Sequence, residues 1–188
     1  TVLWQSALLT WQDEETRGVF DLSAVSKMAE DDLRERLVKH KLALQPNKHI
    51  NSWSRIARTV YDNWGSFEAF LDVMQNDYIK LRDCMQGDMK SGLPYLAGPK
   101  LFNYWCYVLI RYCGVNLKNS ELVEIALDSH VTRCSVILGV ITQNEATTLS
   151  KEAIYVKWRD ILDGSGINPI DLHSPLWFWS RNGFLLKV

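Results

Sequence analysis

The chain has 188 residues, 47% of them apolar and 23% charged, and a formal net charge of -1. That length suits one domain with a proper core. The charge gives no overall pull toward nucleic acid, so any anion-binding surface has to be local. No run approaches the roughly 18 apolar residues of a membrane span, and no secretory leader is visible at the Thr1-Val2 start. The four cysteines, Cys84, Cys106, Cys113 and Cys134, lack CxxC spacing. That argues against a zinc ribbon and against a four-cysteine iron–sulfur loop. They read as reduced thiols, mostly in the core, of a cytosolic protein. The eight tryptophans are expected mostly in the core, with one or two as stacking platforms.

Helical periodicity dominates, without internal repeat or low-complexity run. TVLWQSALLTW (1–11) predicts a buried helix. SAVSKMAEDDLRERLVKH (23–40) predicts one helix with a Ser cap, early acids and late bases. NKHINSWSRIARTVYDNWG (47–65) ends at Gly65, a C-cap. SFEAFLDVMQ (66–75) begins as a near capping box, Ser66 with Glu68. PKLFNYWCYVLIRYCG (99–114) has Pro99 in a first-turn position and Gly114 as its stop. DSHVTRCSVILGV (128–140) starts at an N-cap, Asp128. TTLSKEAIYVKWRDILDG (147–164) predicts a long amphipathic helix, and NPIDLHSPLWFWSRNG (168–183) closes the pattern. The fold class is therefore all-α, with about ten helices packed helix on helix.

Charge is uneven. Arg34, Arg36, Lys39, Lys41, Lys48, Arg55 and Arg58 face one acid, Glu35, between residues 33 and 58, whereas 13–32 is acidic. A solvated helix face and a phosphate-binding patch both explain this.

GLPYLAGPK (92–100) asks for more. Gly92, Pro94, Gly98 and Pro99 run into an apolar, aromatic helix that opens on Lys100. A cation there opposes the helix dipole. A solvated lysine is one reading; a lysine held at a pocket mouth for chemistry is the other. The turn itself directs backbone N–H groups outward, a weak signal for a phosphate site. Asp128 then opens the later helix. By itself it is a plain cap. Beside a lysine it can stabilise the cation that develops when an amine attacks an electrophilic carbon. His130 and Arg133 follow within a turn and can hold a phosphate.

LPYLAGPK followed by LDSHVTR resembles the helix-hairpin-helix DNA glycosylase superfamily. The run LLTWQDEET is similar to the polar segment with which its members probe the gap left by an extruded base. The tail GSGINPIDLHSPLWFWSRNGF is similar to the closing segment of archaeal 8-oxoguanine glycosylases. The resemblance touches both ends and the middle of the chain. It implies a two-lobed, all-α glycosylase fold as a single domain over 1–188, with the helix-hairpin-helix at about 84–113. It implies base-excision repair with a lysine Schiff base: Lys100 as nucleophile, Asp128 as its partner, and AP-lyase strand nicking by β-elimination. The base pocket implied is Trp177, Trp11, Tyr104 and His173, with Gln12 filling the vacated space and Gly98, His130 and Arg133 on the DNA backbone. The implied partner is damaged double-stranded DNA, with no cofactor, metal or membrane, for a monomer that is cytoplasmic and nucleoid-associated in a prokaryote or nuclear in a eukaryote. His40, His49, His130 and His173 form no evident ligand set.

The sequence departs from the usual Leu-Pro-Gly-Val-Gly-x-Lys hairpin. LPYLAGPK is one residue longer, with only Gly98 in register counting back from Lys100. The iron–sulfur loop of the endonuclease III branch is absent. In one archaeal branch an acid stands four residues before the tail tryptophan; here that residue is His173. Rival readings are a glycosylase for an oxidised pyrimidine or another lesion, a non-catalytic helix-hairpin-helix DNA-binding module, and a helical protein-interaction domain.

Overall fold

The computed structural model describes residues 2–185. All regular structure in them is helical, apart from one isolated parallel bridge between Asp77 and Lys118. In chain order the helices are α1 (Val2–Gln12), α2 (Leu22–Lys27), α3 (Glu30–Lys39), α4 (Pro46–Trp64), α5 (Phe67–Val73), α6 (Tyr78–Gln86), α7 (Pro99–Tyr112), α8 (Ser129–Ile137), α9 (Glu145–Thr148), α10 (Lys151–Leu162) and α11 (His173–Arg181). Short 3₁₀ turns occupy Arg17–Phe20, Ser120–Leu122 and Pro169–Leu172. No helix among the described residues is long and apolar enough to cross a membrane.

The chain divides into two compact units. One comprises Thr1–Gln75 and Asp83–Ala97; the other comprises Asn76–Arg82 and Gly98–Val188. In the first, α2 and α3 pack on α4 around Val25, Leu33, Leu37, Ile50 and Ala57. In the second, α8 and α11 pack together around Leu127, Val131, Cys134, Trp158 and Leu176. Each core is built from one apolar stripe per helix, the usual way amphipathic helices are held.

The predicted caps form. Gly65 ends α4 at φ 80, a left-handed position suited to glycine. Ser66 accepts from the Ala69 amide, and Pro99 opens α7. Five expectations need correction. The segment 23–40 is two helices: Met28 and Ala29 are extended, and the cap is Asp21, which accepts from the Ala24 amide. Glu30, Asp31 and Asp32 then fill the first turn of α3, where the dipole favours anions. The helix predicted over 147–164 starts instead at Lys151, because Ser150 caps it by accepting from Ala153. α1 is a helix but is not buried. It buries the small hydroxyl residues Ser6 and Thr10, Thr10 donating to the Ser6 carbonyl, and leaves Leu3, Trp4, Leu8, Leu9 and Trp11 exposed. Of the eight tryptophans only Trp158 is fully buried, and the free thiols are split between core (Cys106, Cys134) and outer positions (Cys84, Cys113).

Candidate active site

α7 sets the geometry. Gly98 is its extended N-cap and Pro99 its first residue. The first turn is pinned by buried Asn103, which donates to the Pro99 carbonyl at 2.8 Å. The Asn103 amide oxygen accepts from the Tyr78 hydroxyl and the Glu124 amide, both at 3.0 Å. Burial raises the Tyr78 phenol far above its ordinary range, so it stays a donor to Asn103. With Phe102, Cys106 and Leu109 facing inward, Lys100 and Tyr104 fall one helical turn apart on another side.

The buried run Val123, Ile125, Ala126 and Leu127 delivers Asp128 to the start of α8. One carboxylate oxygen, Oδ1, accepts from the His130 and Val131 amides at 2.9 Å each. The other, Oδ2, lies 4.0 Å from Lys100 Nζ. The Asp128 side chain is 15% exposed and that of Lys100 43%, so the lysine reaches outward from a sheltered acid. Asp128 is therefore a cap and a charge partner at once.

α11 supplies the third wall. His173 is 8% exposed and meets the Tyr104 ring edge-on at 5.2 Å. Its Nδ1 is buried without a partner. Desolvation, aided by the Lys100 charge, holds the imidazole below its ordinary pKa, opposed by the Asp128 charge and a hydrogen bond with the Ala126 backbone. One turn later Trp177 stands edge-on to His130 at 5.4 Å, with the Arg181 guanidinium 4.9 Å from its ring centre. His130 Nδ1 is also 3.0 Å from Ser180 Oγ, so this side chain is engaged with α11. Arg133 is exposed on α8. Six of the predicted residues, Lys100, Tyr104, Asp128, His130, His173 and Trp177, thus form one linked cluster within the second unit. Trp11 and Gln12, both exposed at the end of α1, belong to the first unit and are not in that cluster.

A cavity of about 570 Å³ adjoins the pair, lined by Lys100, Asp128, Ser129, Thr132, Leu149 and Lys151 among others. Lys151 lines this cavity and was not among the residues named from the sequence. Its signal was present, because it is a cation at a helix start, as Lys100 is.

The basic stretch divides. Arg36 pairs with Asp32 at 2.8 Å, and Lys39 with Asp13 and Glu15 at 2.9 and 2.7 Å. The Lys39 bond to Asp13, with one from His40, holds Asp13 well below the carboxylate range. That half is an ion-paired face. Arg55 and Arg58 instead line a separate cavity of about 550 Å³ with Asn51, Thr59, Asp62 and Asp88. In the segment before α7, Tyr95 holds φ 66 and is half exposed. It follows Leu93-Pro94, where the usual hairpin sequence has its first glycine. Gly98, at φ -80, is ordinary.

Residues 100–183 match the model of the family AGOG, N-glycosylase/DNA lyase. The matched segment starts at Lys100 and runs through Asp128, His173 and Trp177. No curated protein and no solved structure matches the chain.

Proposed function

We propose, from the match of residues 100–183 to the N-glycosylase/DNA lyase family model, that this chain excises an oxidised base, 8-oxoguanine, from double-stranded DNA through a Schiff base on Lys100. The observation that carries this reading is the Lys100 and Asp128 pair, 4.0 Å apart, with one Asp128 oxygen committed to the helix cap and the other turned to the amine.

The chemistry follows from that pair. The target nucleotide leaves the stack at a cost of a few kcal/mol. An aromatic partner offsets this by about 1–3 kcal/mol per stacked base. Trp177 and Tyr104 are assigned this role, because they stand in the same cluster as the pair through His130 and His173. Lys100, as the neutral amine, forms a bond from Nζ to the sugar C1′ while the C1′–N bond breaks. The electron pair departs with the base, which takes up a proton. Asp128 stabilises the positive charge that develops at the sugar and on the new iminium. Loss of an amine proton and opening of the sugar ring complete the Schiff base. Removal of a C2′ proton then expels the 3′ phosphate and nicks the strand, and water releases the lysine.

Binding is assigned to the first turn of α7 at Gly98 and to Arg133 and His130 on α8, with Lys151 added as a phosphate contact across the cavity. Gln12 is assigned to the space vacated by the base and Trp11 to its surroundings. A DNA-binding module without chemistry needs no lysine beside a sheltered carboxylate, so the pair disfavours that rival. The test is incubation with a duplex carrying 8-oxoguanine opposite cytosine, with and without borohydride. A nicked product and a trapped covalent complex are expected. Cleavage of an oxidised pyrimidine in its place keeps the mechanism and changes the substrate.

A further inference from the structure

We propose that Asn103 is the positioning residue that sets the spacing of Lys100 and Asp128: its single side-chain amide ties the turn that carries the lysine to the segment that carries the aspartate. The inference rests on the Schiff-base reading above and names the group that keeps its pair in register.

The pair cannot hold its own geometry. Lys100 Nζ ends a flexible four-carbon stem whose side chain is 43% exposed, and an ion pair that open to water is weak. Asn103 supplies a hold on each side. On the lysine side, Asn103 Nδ2 donates to the Pro99 carbonyl at 2.8 Å. That carbonyl and the Lys100 amide share one planar peptide, so holding the first sets where the Lys100 side chain begins. On the aspartate side, Asn103 Oδ1 accepts from the Glu124 amide at 3.0 Å. From there the buried run Ile125, Ala126 and Leu127 leads to Asp128, whose Oδ1 is held by two amides of α8. The Glu124 carboxylate pairs with Arg159 of α10, which gives the same segment a second hold. All of these residues belong to the second unit.

Asn103 is an amide on the buried face of α7, 2% exposed, in line with Phe102, Cys106 and Leu109. An apolar residue would fill that place without desolvating a polar group, whereas an amide there costs free energy unless it is bonded. It is bonded at both ends, and its orientation is determined. The Glu124 backbone N–H can only donate, so Oδ1 has to face it and Nδ2 has to face the Pro99 carbonyl. The Tyr78 hydroxyl donates to the same Oδ1 at 3.0 Å and locks it. A buried polar group satisfied in this way specifies one packing of the elements that it joins. Here that packing is the one with Lys100 Nζ 4.0 Å from Asp128 Oδ2.

The experiment is a double-mutant cycle read by single-turnover borohydride trapping on a duplex with one abasic site. No base has to be recognised there, so the outcome does not depend on which lesion the pocket takes. Asn103→Leu keeps the branched shape of the side chain and removes its hydrogen bonds. It is expected to slow trapping about ten- to a hundredfold, the scale of a reacting group displaced by about 1 Å. In an Asp128→Asn background no carboxylate is left to be positioned, and the same change is expected to cost less than about threefold. Tyr78→Phe removes one donor and leaves both backbone bonds; a loss of about two- to fivefold is expected, confined to chains that keep Asp128. Where Asn103→Leu does not fold, Tyr78→Phe decides alone by the same rule. Losses that multiply in full in both backgrounds overturn the proposal while leaving the Schiff base standing, because Asn103 then supports the fold and not the pair. Trapping unchanged by Asn103→Leu overturns it too. A wild type that traps no abasic duplex removes the lysine Schiff base, and this inference with it.

Discussion

At the scale of single residues the site is a division of labour within side chains. Asp128 uses one oxygen to close α8 and the other to face Lys100. The two roles separate by mutation. Asn caps a helix as well as Asp does. Asp128→Asn is therefore expected to keep the folding stability and to slow base excision by about a hundredfold or more, the scale of a lost electrostatic stabiliser. Asp128→Ala is expected to slow excision similarly and also to lower stability by about 1 kcal/mol through the lost cap. Urea unfolding and single-turnover excision measure the two effects. A near-normal rate for Asp128→Asn would reduce the residue to its cap. His173 gives the pH dependence. Its folded pKa lies below its ordinary value of 6.5 because burial disfavours the charged ring. The unfolded chain therefore binds the proton first as pH falls. The stability contributed by the neutral ring is complete above about 6.5 and is lost as pH drops from there toward the lowered folded value. The thermal midpoint is expected to fall as the pH drops below about 6.5 in the wild type, and less so in His173→Asn, which has no proton to gain. Equal slopes would place the titration elsewhere. The Asp13 carboxylate, depressed by Lys39 and His40, acts in a separate and more acid window.

At the scale of elements, the turn before α7 contains a close approach. A Cβ on Gly92 would stand 2.6 and 2.7 Å from Thr59 Oγ1 and Cγ2 on α4. Thr59 is β-branched and cannot move both atoms away with one rotation. Gly92→Ala is expected to cost about 1–3 kcal/mol, as other overpacked sites do, and Thr59→Ser in the same chain is expected to recover part of it by removing the methyl. Denaturant midpoints decide; an additive double variant would refute the contact. The same element shows what was legible. Pro99, Gly114, Gly65 and Asp128 are punctuation that acts locally, so α4, α7 and α8 stand where the sequence puts them. The break between α2 and α3 carries no proline or glycine, so periodicity ran through it. The exposure of α1 is decided by which neighbours the chain brings to it, and its own alternation holds no record of that. Tyr95 is the reverse case: no rule for tyrosine predicts φ 66, and only the turn's demand for a left-handed residue explains it.

At the scale of the whole molecule, the family match and the cluster coincide, since both lie in residues 100–183. Lys100, Asp128, Tyr104, His173 and Trp177 were named from the resemblance, and the structure places them in one cluster, with Lys100 and Tyr104 one turn apart on α7 and His173 and Trp177 one turn apart on α11. Lys151 was not named, because nothing before the structure joined α10 to the pair. With a net charge of -1, the DNA affinity proposed for this chain is assigned to local cations such as Lys151 and Arg133, and on that proposal it weakens steeply with salt. The most direct measurement is borohydride trapping of the wild type and of Lys100→Gln on a duplex with one 8-oxoguanine opposite cytosine. The expected result is a covalent complex and a nicked strand for the wild type, and lesion binding without any covalent complex for Lys100→Gln. A covalent complex that survives Lys100→Gln, or wild-type excision that never traps, would contradict a Schiff base at this lysine.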